Sequence, residues 1–286
     1  MFVYLATDTP QKKTKSNLIY ICIPAHNEAP TIGVLLWRIR KMFQSYSREY
    51  EILVFDDGST DGTSDVIGPY AEVAPVTVIR SETRKGYGHA LDALAREANR
   101  RTKYPRRDAM VVMQADFTDQ PEHLPELIKR FEGGADIVLA ERTVGSQPVQ
   151  VERLRKFAPW ALKFSIAVVG IADPYAAYRL YRISLIRELI KASPDKPIVT
   201  NDGWAANVEI LLGALPLARR LEKVSLDSRY DLRVRPTRIR PFADWLALYR
   251  FGRAFSGRRI APPLQAATSE NGGTQRGQKP KERATS

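Results

Sequence analysis

With 286 residues, 44% hydrophobic and 27% charged, the chain has an ordinary globular composition and enough length to bury a large core. Its longest apolar stretch, residues 164–172, is far short of the roughly 18–20 residues that a membrane-crossing helix needs. The opening residues 1–6 have no basic flank before them, so they do not read as a secretory signal. The single cysteine, Cys22, excludes an internal disulfide and reads as a buried thiol. The net charge of +12 points either to an anionic partner or to a solvated basic face. These properties lead us to expect a cytosolic domain, or one attached to the cytoplasmic face of a membrane.

Residues 1–17 are polar and lysine-containing, and read as a loose leader. The spacing then predicts a strand over 18–24 and a helix over 29–43, with Ile32, Leu35, Leu36, Ile39 and Phe43 along one stripe. Strands are expected at 51–55 and 76–80, a helix at 90–100, a strand at 110–114, a helix at 123–131 and a strand at 137–140. Strands and helices alternating at this length predict an α/β fold, a mostly parallel sheet covered on both faces. Further helices are expected at 154–169, 185–192 and 204–215, with a strand over 218–226. Residues 219–259 hold twelve Arg or Lys against four Asp or Glu, and 241–259 interleave aromatics with arginines. From 261 to 286 the apolar content falls away, and this tail is expected to be disordered. The folded domain is therefore set at 18–240, followed by a basic aromatic segment at 241–260.

In parallel sheets, ligands bind beyond the carboxyl ends of the strands, and four such ends carry polar clusters. They are Pro24-Ala25-His26-Asn27-Glu28, Asp56-Asp57-Gly58-Ser59-Thr60-Asp61-Gly62-Thr63, Gly86-Tyr87-Gly88-His89-Ala90 and Gln114-Ala115-Asp116-Phe117-Thr118-Asp119-Gln120-Pro121-Glu122. Any one of them reads as turn and helix-cap chemistry. Together and in this order they outline a site. A nucleoside diphosphate needs an acidic group for its base or ribose and a divalent cation for its phosphates. Asp57 suits the first role and Asp116 the second, since Mg²⁺ takes one or two carboxylates plus substrate phosphates. The turn at Gly86 and Gly88 lets backbone approach a ligand or a neighbouring loop. A Rossmann fingerprint fails, because Leu91 stands at the third glycine position. His26, His89 and His123 lack zinc-ligand spacing.

In this order the motifs resemble inverting glycosyltransferases of family 2, which have the GT-A fold, and among them the polyprenyl-phosphate sugar transferases. The resemblance runs from about Ile19 to Leu226. It implies a nucleotide-sugar-binding half followed by an acceptor half, a GDP-mannose or UDP-sugar donor, Mg²⁺ or Mn²⁺, and a lipid-linked phosphate acceptor. By the same resemblance Pro24, His26, Glu28 and Asp57 line the nucleoside pocket, with Gln114, Ala115 and Asp116 beside them. Asp116 binds the metal, and Arg142 and Arg229 contact phosphate. Arg179, closing Asp173-Pro174-Tyr175-Ala176-Ala177-Tyr178-Arg179, joins them as an acceptor-phosphate candidate. Glu209 matches an acidic residue of the helix after Asp202, and reads equally as a core helix bond.

Three departures from the family pattern stand out. Gln114 replaces the first metal-site aspartate, Thr118 stands where Gln or Ser is usual, and after Arg229 come Arg233, Arg235, Arg238 and Arg240 rather than Gly-x-Ser-Lys. A phosphate acceptor is already ionised and needs no base, whereas a hydroxyl acceptor does. Asp202 is the candidate base, with helix N-cap or turn as its structural alternative. The expected function is sugar transfer with inversion to a lipid phosphate. The alternatives are a hydroxyl acceptor or a catalytically reduced nucleotide-sugar binder. Nucleic acid is set aside because no recognition motif accompanies the basic segment. An anionic membrane surface is the expected partner of residues 241–259, whose aromatics read equally as a cap on the core of the domain.

Overall fold

The computed structural model describes residues 17–143, 171, 173–227, 245–246 and 249–250. The leader, the predicted helix at 154–169, Arg229, most of 241–259 and the tail lie outside the described residues. Among those described, seven strands form one sheet in the order β3-β2-β1-β4-β6-β5-β7. They are β1 Ile19–Ala25, β2 Tyr50–Asp57, β3 Val76–Ser81, β4 Ala109–Val112, β5 Ile137–Thr143, β6 Arg179–Arg182 and β7 Leu221–Asp227. The helices are α1 Ala29–Ser45, α2 Thr63–Val73, α3 Tyr87–Arg101, α4 Leu124–Glu132, α5 Ile183–Ala192 and α6 Gly203–Ala214.

Every pairing is parallel except those of β6, which runs antiparallel to both β4 and β5. The alternation of side chains decides which face each residue serves. From β1, Ile19, Ile21 and Ile23 enter one core with Leu35 and Ile39 of α1 and Leu127 of α4. Tyr20 and Cys22 enter the other, with Leu91 and Leu94 of α3 and Leu211 of α6. A central strand buried on both faces must be apolar throughout, which is why β1, β2 and β4 read as continuous hydrophobic runs. Cys22 is fully buried, and desolvation pushes its thiol pKa well up.

Two elements differ from the sequence expectation. Helix α2 carries Gly68 and Pro69, and buries only Thr63 and Ile67, so it shows no apolar stripe. It is held by α1, where the missing side chain of Gly33 admits Val66 and Tyr70. Strand β6 has the composition Arg-Leu-Tyr-Arg over 4 residues, too short and polar to register as a strand. Pairing on both sides makes it one.

Candidate functional site

Strands β2 and β3 lie to one side of β1, and β4 begins the other, so a crevice opens at the carboxyl end of β1. The carboxyl ends of β1, β2, β4 and β5 all reach this edge. Because β6 is antiparallel, its first residue, Arg179, pairs with Val112 at the end of β4. This brings the preceding segment from Asp173 to the same edge.

At the β1 end, His26 Nδ1–H donates to the Asp57 carbonyl at 2.7 Å. Asn27 adopts φ 51°, in the left-handed region that Asn tolerates better than most residues. Its amide donates to Ser59 Oγ, and its own Oδ1 accepts from Thr60 N at 2.8 Å. Glu28 precedes α1, buried, with its amide donating to Thr63 Oγ1 and its carboxylate accepting from the Thr31 hydroxyl at 3.2 Å. The first two clusters are thus laced into one wall. Asp61 completes the lacing through Ala29 N and Thr63. Partial burial raises the Asp61 pKa, but hydrogen bonds from Thr63 and Ala29 outweigh it and hold the carboxyl below its ordinary value.

The two adjacent aspartates of β2 divide their work. Asp56, fully buried, accepts from Ser59 N at 3.0 Å and from the Ser64 hydroxyl, which makes it turn chemistry. Asp57 accepts from Lys85 N at 2.6 Å and Gly86 N at 2.9 Å, one on each oxygen. It therefore holds the β3–α3 loop at the crevice, and each oxygen keeps further acceptor capacity. Gly58, φ +63°, lies under that loop, where a Cβ would come 2.7 Å from Arg84 N.

Beyond β4 the chain folds back on itself. Gln114 N donates to Asp119 Oδ2 at 2.9 Å, and Thr118 N donates to Asp116 Oδ1 at 3.1 Å. Phe117 between them has φ 63°, a costly conformation for an aromatic residue. Asp116, Thr118 and Asp119 are all buried, as is Ala115, and the Thr118 hydroxyl has no hydrogen-bond partner among the described residues. Asp119 is the residue that sequence reasoning left without a role. It shapes the loop carrying Gln114 and Asp116. No group of three or more His, Cys, Asp or Glu among the described residues is placed to hold a metal ion alone. The loop carries the Asp116 and Asp119 carboxylates and the Gln114 amide, groups with the oxygen atoms that a hard divalent cation prefers.

Asp202 occupies the N-cap position of α6 but makes no cap bond to that helix. Its Oδ1 instead accepts from Gly88 N at 2.9 Å, so the carboxylate faces the N-terminus of α3, where a negative charge is favourable. The loop approaches so closely that a Cβ on Gly88 would lie 1.9 Å from the Asn201 carbonyl oxygen. Glu209 holds this loop from behind, accepting from Thr200 N at 2.8 Å and Asn201 N at 2.9 Å. Asn207, one turn along α6, accepts from the half-buried Tyr87 hydroxyl and donates to the Tyr175 carbonyl. Burial raises the Tyr87 pKa, keeping the phenol a neutral donor.

One expectation is corrected. Arg179 is buried, 1% exposed, and its two terminal nitrogens donate to the carbonyls of Asn207 (2.7 Å) and Asp173 (3.1 Å). It clamps the 173–178 segment to α6 and presents no guanidinium to an acceptor phosphate. Pro24, His26, Glu28, Asp57, Gln114, Ala115 and Asp116 do come together at one edge. Asp202 joins them through the loop that Asp57 holds. Arg142 lies at the end of β5, opposite Leu226, so its backbone reaches the same edge.

A family model described as Glycosyl transferase family 2 matches residues 20–206, which include all four strand-end clusters and Asp202. The chain belongs to glycosyltransferase family 2. Among its family 2 relatives, an undecaprenyl-phosphate mannosyltransferase of Micrococcus luteus is 30% identical over 209 residues, 71% of this chain and 80% of that protein. A prophage bactoprenol glucosyl transferase homolog of Escherichia coli is 31% identical over 181 residues, 62% of this chain and 56% of that one. The fold is GT-A. Glucosyl-3-phosphoglycerate synthase of Mycobacterium tuberculosis, solved with Mn²⁺, uridine diphosphate and glucosyl-3-phosphoglycerate, superposes with a TM-score of 0.56. That likeness covers 83% of this chain and 77% of the synthase at 20% identity. The chain is thus a family 2 glycosyltransferase whose strand-end polar clusters gather at the carboxyl edge of its sheet.

Proposed function

We propose that this glycosyltransferase moves a sugar, with inversion, from a nucleotide sugar to a polyprenyl phosphate. The observation that carries the acceptor is the likeness to an undecaprenyl-phosphate mannosyltransferase over most of both chains. The wall formed by Pro24, His26, Glu28 and Asp57 would take the nucleoside of a GDP-mannose or UDP-sugar donor. Asp116, with Gln114 beside it, would hold Mg²⁺ or Mn²⁺ at the diphosphate. That cation, when bound, would supply positive charge to the departing nucleoside diphosphate. Arg142, and Arg229 beyond the described residues, are the arginines assigned to the phosphates. A phosphate oxygen arrives ionised, so these residues need only align it and stabilise the leaving group.

No helix among the described residues is long and apolar enough to cross a membrane. We place the chain at the anionic cytoplasmic face of a membrane, held by the basic residues of 241–260. Two aromatics of that segment have another role. Trp245 and Tyr249 stack at 5.5 Å and pack against the hydrophobic core. Any contact with headgroups then falls to Phe242, Phe251 and Phe255 and the surrounding arginines.

A second reading, a hydroxyl acceptor with Asp202 as base, is favoured by one observation. The Asp202 carboxylate is held at the crevice and belongs to an exposed residue. One assay separates the two. Radiolabelled nucleotide sugars are incubated with polyprenyl phosphate, and the product is extracted into organic solvent. A mild-acid-labile lipid product supports the phosphate acceptor. An acid-stable glycoside, or none with any donor, overturns it.

A further inference from the structure

A second cleft, of about 550 Å³, opens at the opposite edge of the sheet, where β5 begins and β6 ends. It is lined by Arg106, Arg182 and Arg219, with Asp136, Ser184 and Leu217 among its other walls. Strand β5 spans 7 residues, which at about 3.3 Å each puts roughly 20 Å between this cleft and the sugar-nucleotide edge. An occupant here is neither donor nor acceptor.

The charges in the cleft are unequal once their partners are followed. Every nitrogen of the Arg182 guanidinium has a partner: Nε donates to Asp136 Oδ1 (2.5 Å), and the terminal nitrogens donate to the carbonyls of Arg106 (2.5 Å) and Ala135 (2.8 Å). Its guanidinium also lies 4.4 Å from the centroid of the Phe131 ring. Asp136 uses its other oxygen to accept from Arg219 N at 2.9 Å. These bonds neutralise one acid and one base, and fix the backbone of both Arg106 and Arg219. Glu188 pairs with Lys191 at 2.9 Å. The guanidiniums of Arg106 and Arg219 are exposed and have no partner among the described residues. Helix α5 adds little through its backbone, since the Ile183 and Ser184 amides already donate to Asp108 and Pro105. The Ser184 side chain is a further donor in the wall.

The geometry points to a phosphate-binding site in this cleft, distinct from the catalytic edge and built by Arg106, Arg219 and Ser184 on the frame that Arg182 and Asp136 hold. Two arginines free of carboxylates match the several acceptor oxygens of a phosphomonoester. The apolar walls, Leu185 and Leu217, raise the field of those charges. A soluble phosphomonoester and the headgroup of phosphatidic acid share this chemistry.

The test uses the full chain with its catalytic site filled by nucleoside diphosphate and Mg²⁺. Equilibrium dialysis then measures binding of labelled inorganic phosphate and glycerol 3-phosphate. The wild type should bind one further equivalent. Arg106→Gln with Arg219→Gln should weaken that binding at least about tenfold, leaving nucleoside diphosphate affinity and the unfolding midpoint unchanged. Sedimentation with phosphatidic acid vesicles, against phosphatidylcholine, separates the sources. If the variant also loses sedimentation, the ligand is a headgroup. If sedimentation is unchanged while phosphate binding is lost, the ligand is soluble. Phosphate binding that survives in the variant, or that is absent from the filled wild type, overturns the site.

Discussion

At the scale of single residues, the site rests on a few carboxylates whose neighbours assign different work to each. Asp56 and Asp57 are adjacent, yet one closes a turn and the other holds a loop at the crevice. Asp116 is the carboxylate assigned to the metal, so Asp116→Asn should lower turnover more than about tenfold, a barrier change above about 1.4 kcal/mol. Steady-state assay with a donor screen checks this, and retention of a tenth of wild-type activity removes the metal role. Gln114 stands where the resemblance to the family leads us to expect a carboxylate. Gln114→Asp should therefore reduce the metal concentration needed for half-maximal activity, read from a Mn²⁺ titration. An unmoved titration would show that Gln114 is no ligand. Arg179 is a different case, because it binds protein rather than substrate. Arg179→Met leaves two buried carbonyls without their charged donor, and should cost about 2–4 kcal/mol in urea unfolding.

At the scale of elements, the decisive contact is the loop before α6 resting on the start of α3. Gly88→Ala would put a methyl into the Asn201 carbonyl, and backbone cannot step aside as a side chain tip can. This substitution should destabilise the protein by about 1–3 kcal/mol and displace Asp202. Gly68 in α2 makes the opposite case, since a Cβ there meets nothing within 4 Å. Gly68→Ala should stabilise by roughly 0.5–1 kcal/mol through helix propensity alone. Thermal melts of the two variants should move in opposite directions. Helix α3 also carries an acid-sensitive cluster. Hydrogen bonds from Arg100 and Arg101 outweigh partial burial and lower the Glu97 pKa from 4.5 to about 2. A depressed folded-state pKa stabilises above the unfolded value and is lost as pH falls through the folded one. Glu97→Gln should thus flatten the stability profile between those two pH values. Because Arg100 is 69% exposed, the effect at neutral pH should be about 1 kcal/mol or less.

For the whole molecule, the question is how a basic protein meets its substrate. The net charge of +12 includes arginines concentrated at 219–259, and each basic residue at an anionic surface adds on the order of 1 kcal/mol, screened by salt. Wild-type protein should float with anionic vesicles at low salt and detach as salt rises. A charge-reversed variant at Arg250, Arg253, Arg258 and Arg259 should stay folded and fail to float. Equal flotation would remove this segment as the anchor. Trp245 and Tyr249 belong to the same basic aromatic segment. Their stack against the core leaves arginine charge, rather than aromatic insertion, as the main expected contribution.

The alternation of strands and helices, and the order of polar clusters after the strands, were legible because both are local. A strand buried on two faces must be apolar throughout, and a residue just past its end must face the crevice. That much determined the α/β architecture, the placement of Pro24, His26, Glu28, Asp57 and Asp116 at one edge, and the family. Helix α2 and strand β6 were not legible, because neither has an apolar pattern of its own and both are held by neighbours. Partnerships across long sequence separations were equally hidden. Asp202 could be read as a cap from its position before α6, but only the fold shows that it faces α3 through Gly88. Arg179 carries a charge that reads as a ligand for phosphate. Tertiary structure buried it and gave it two carbonyls, since a cation enclosed in the core must find its acceptors in the protein itself.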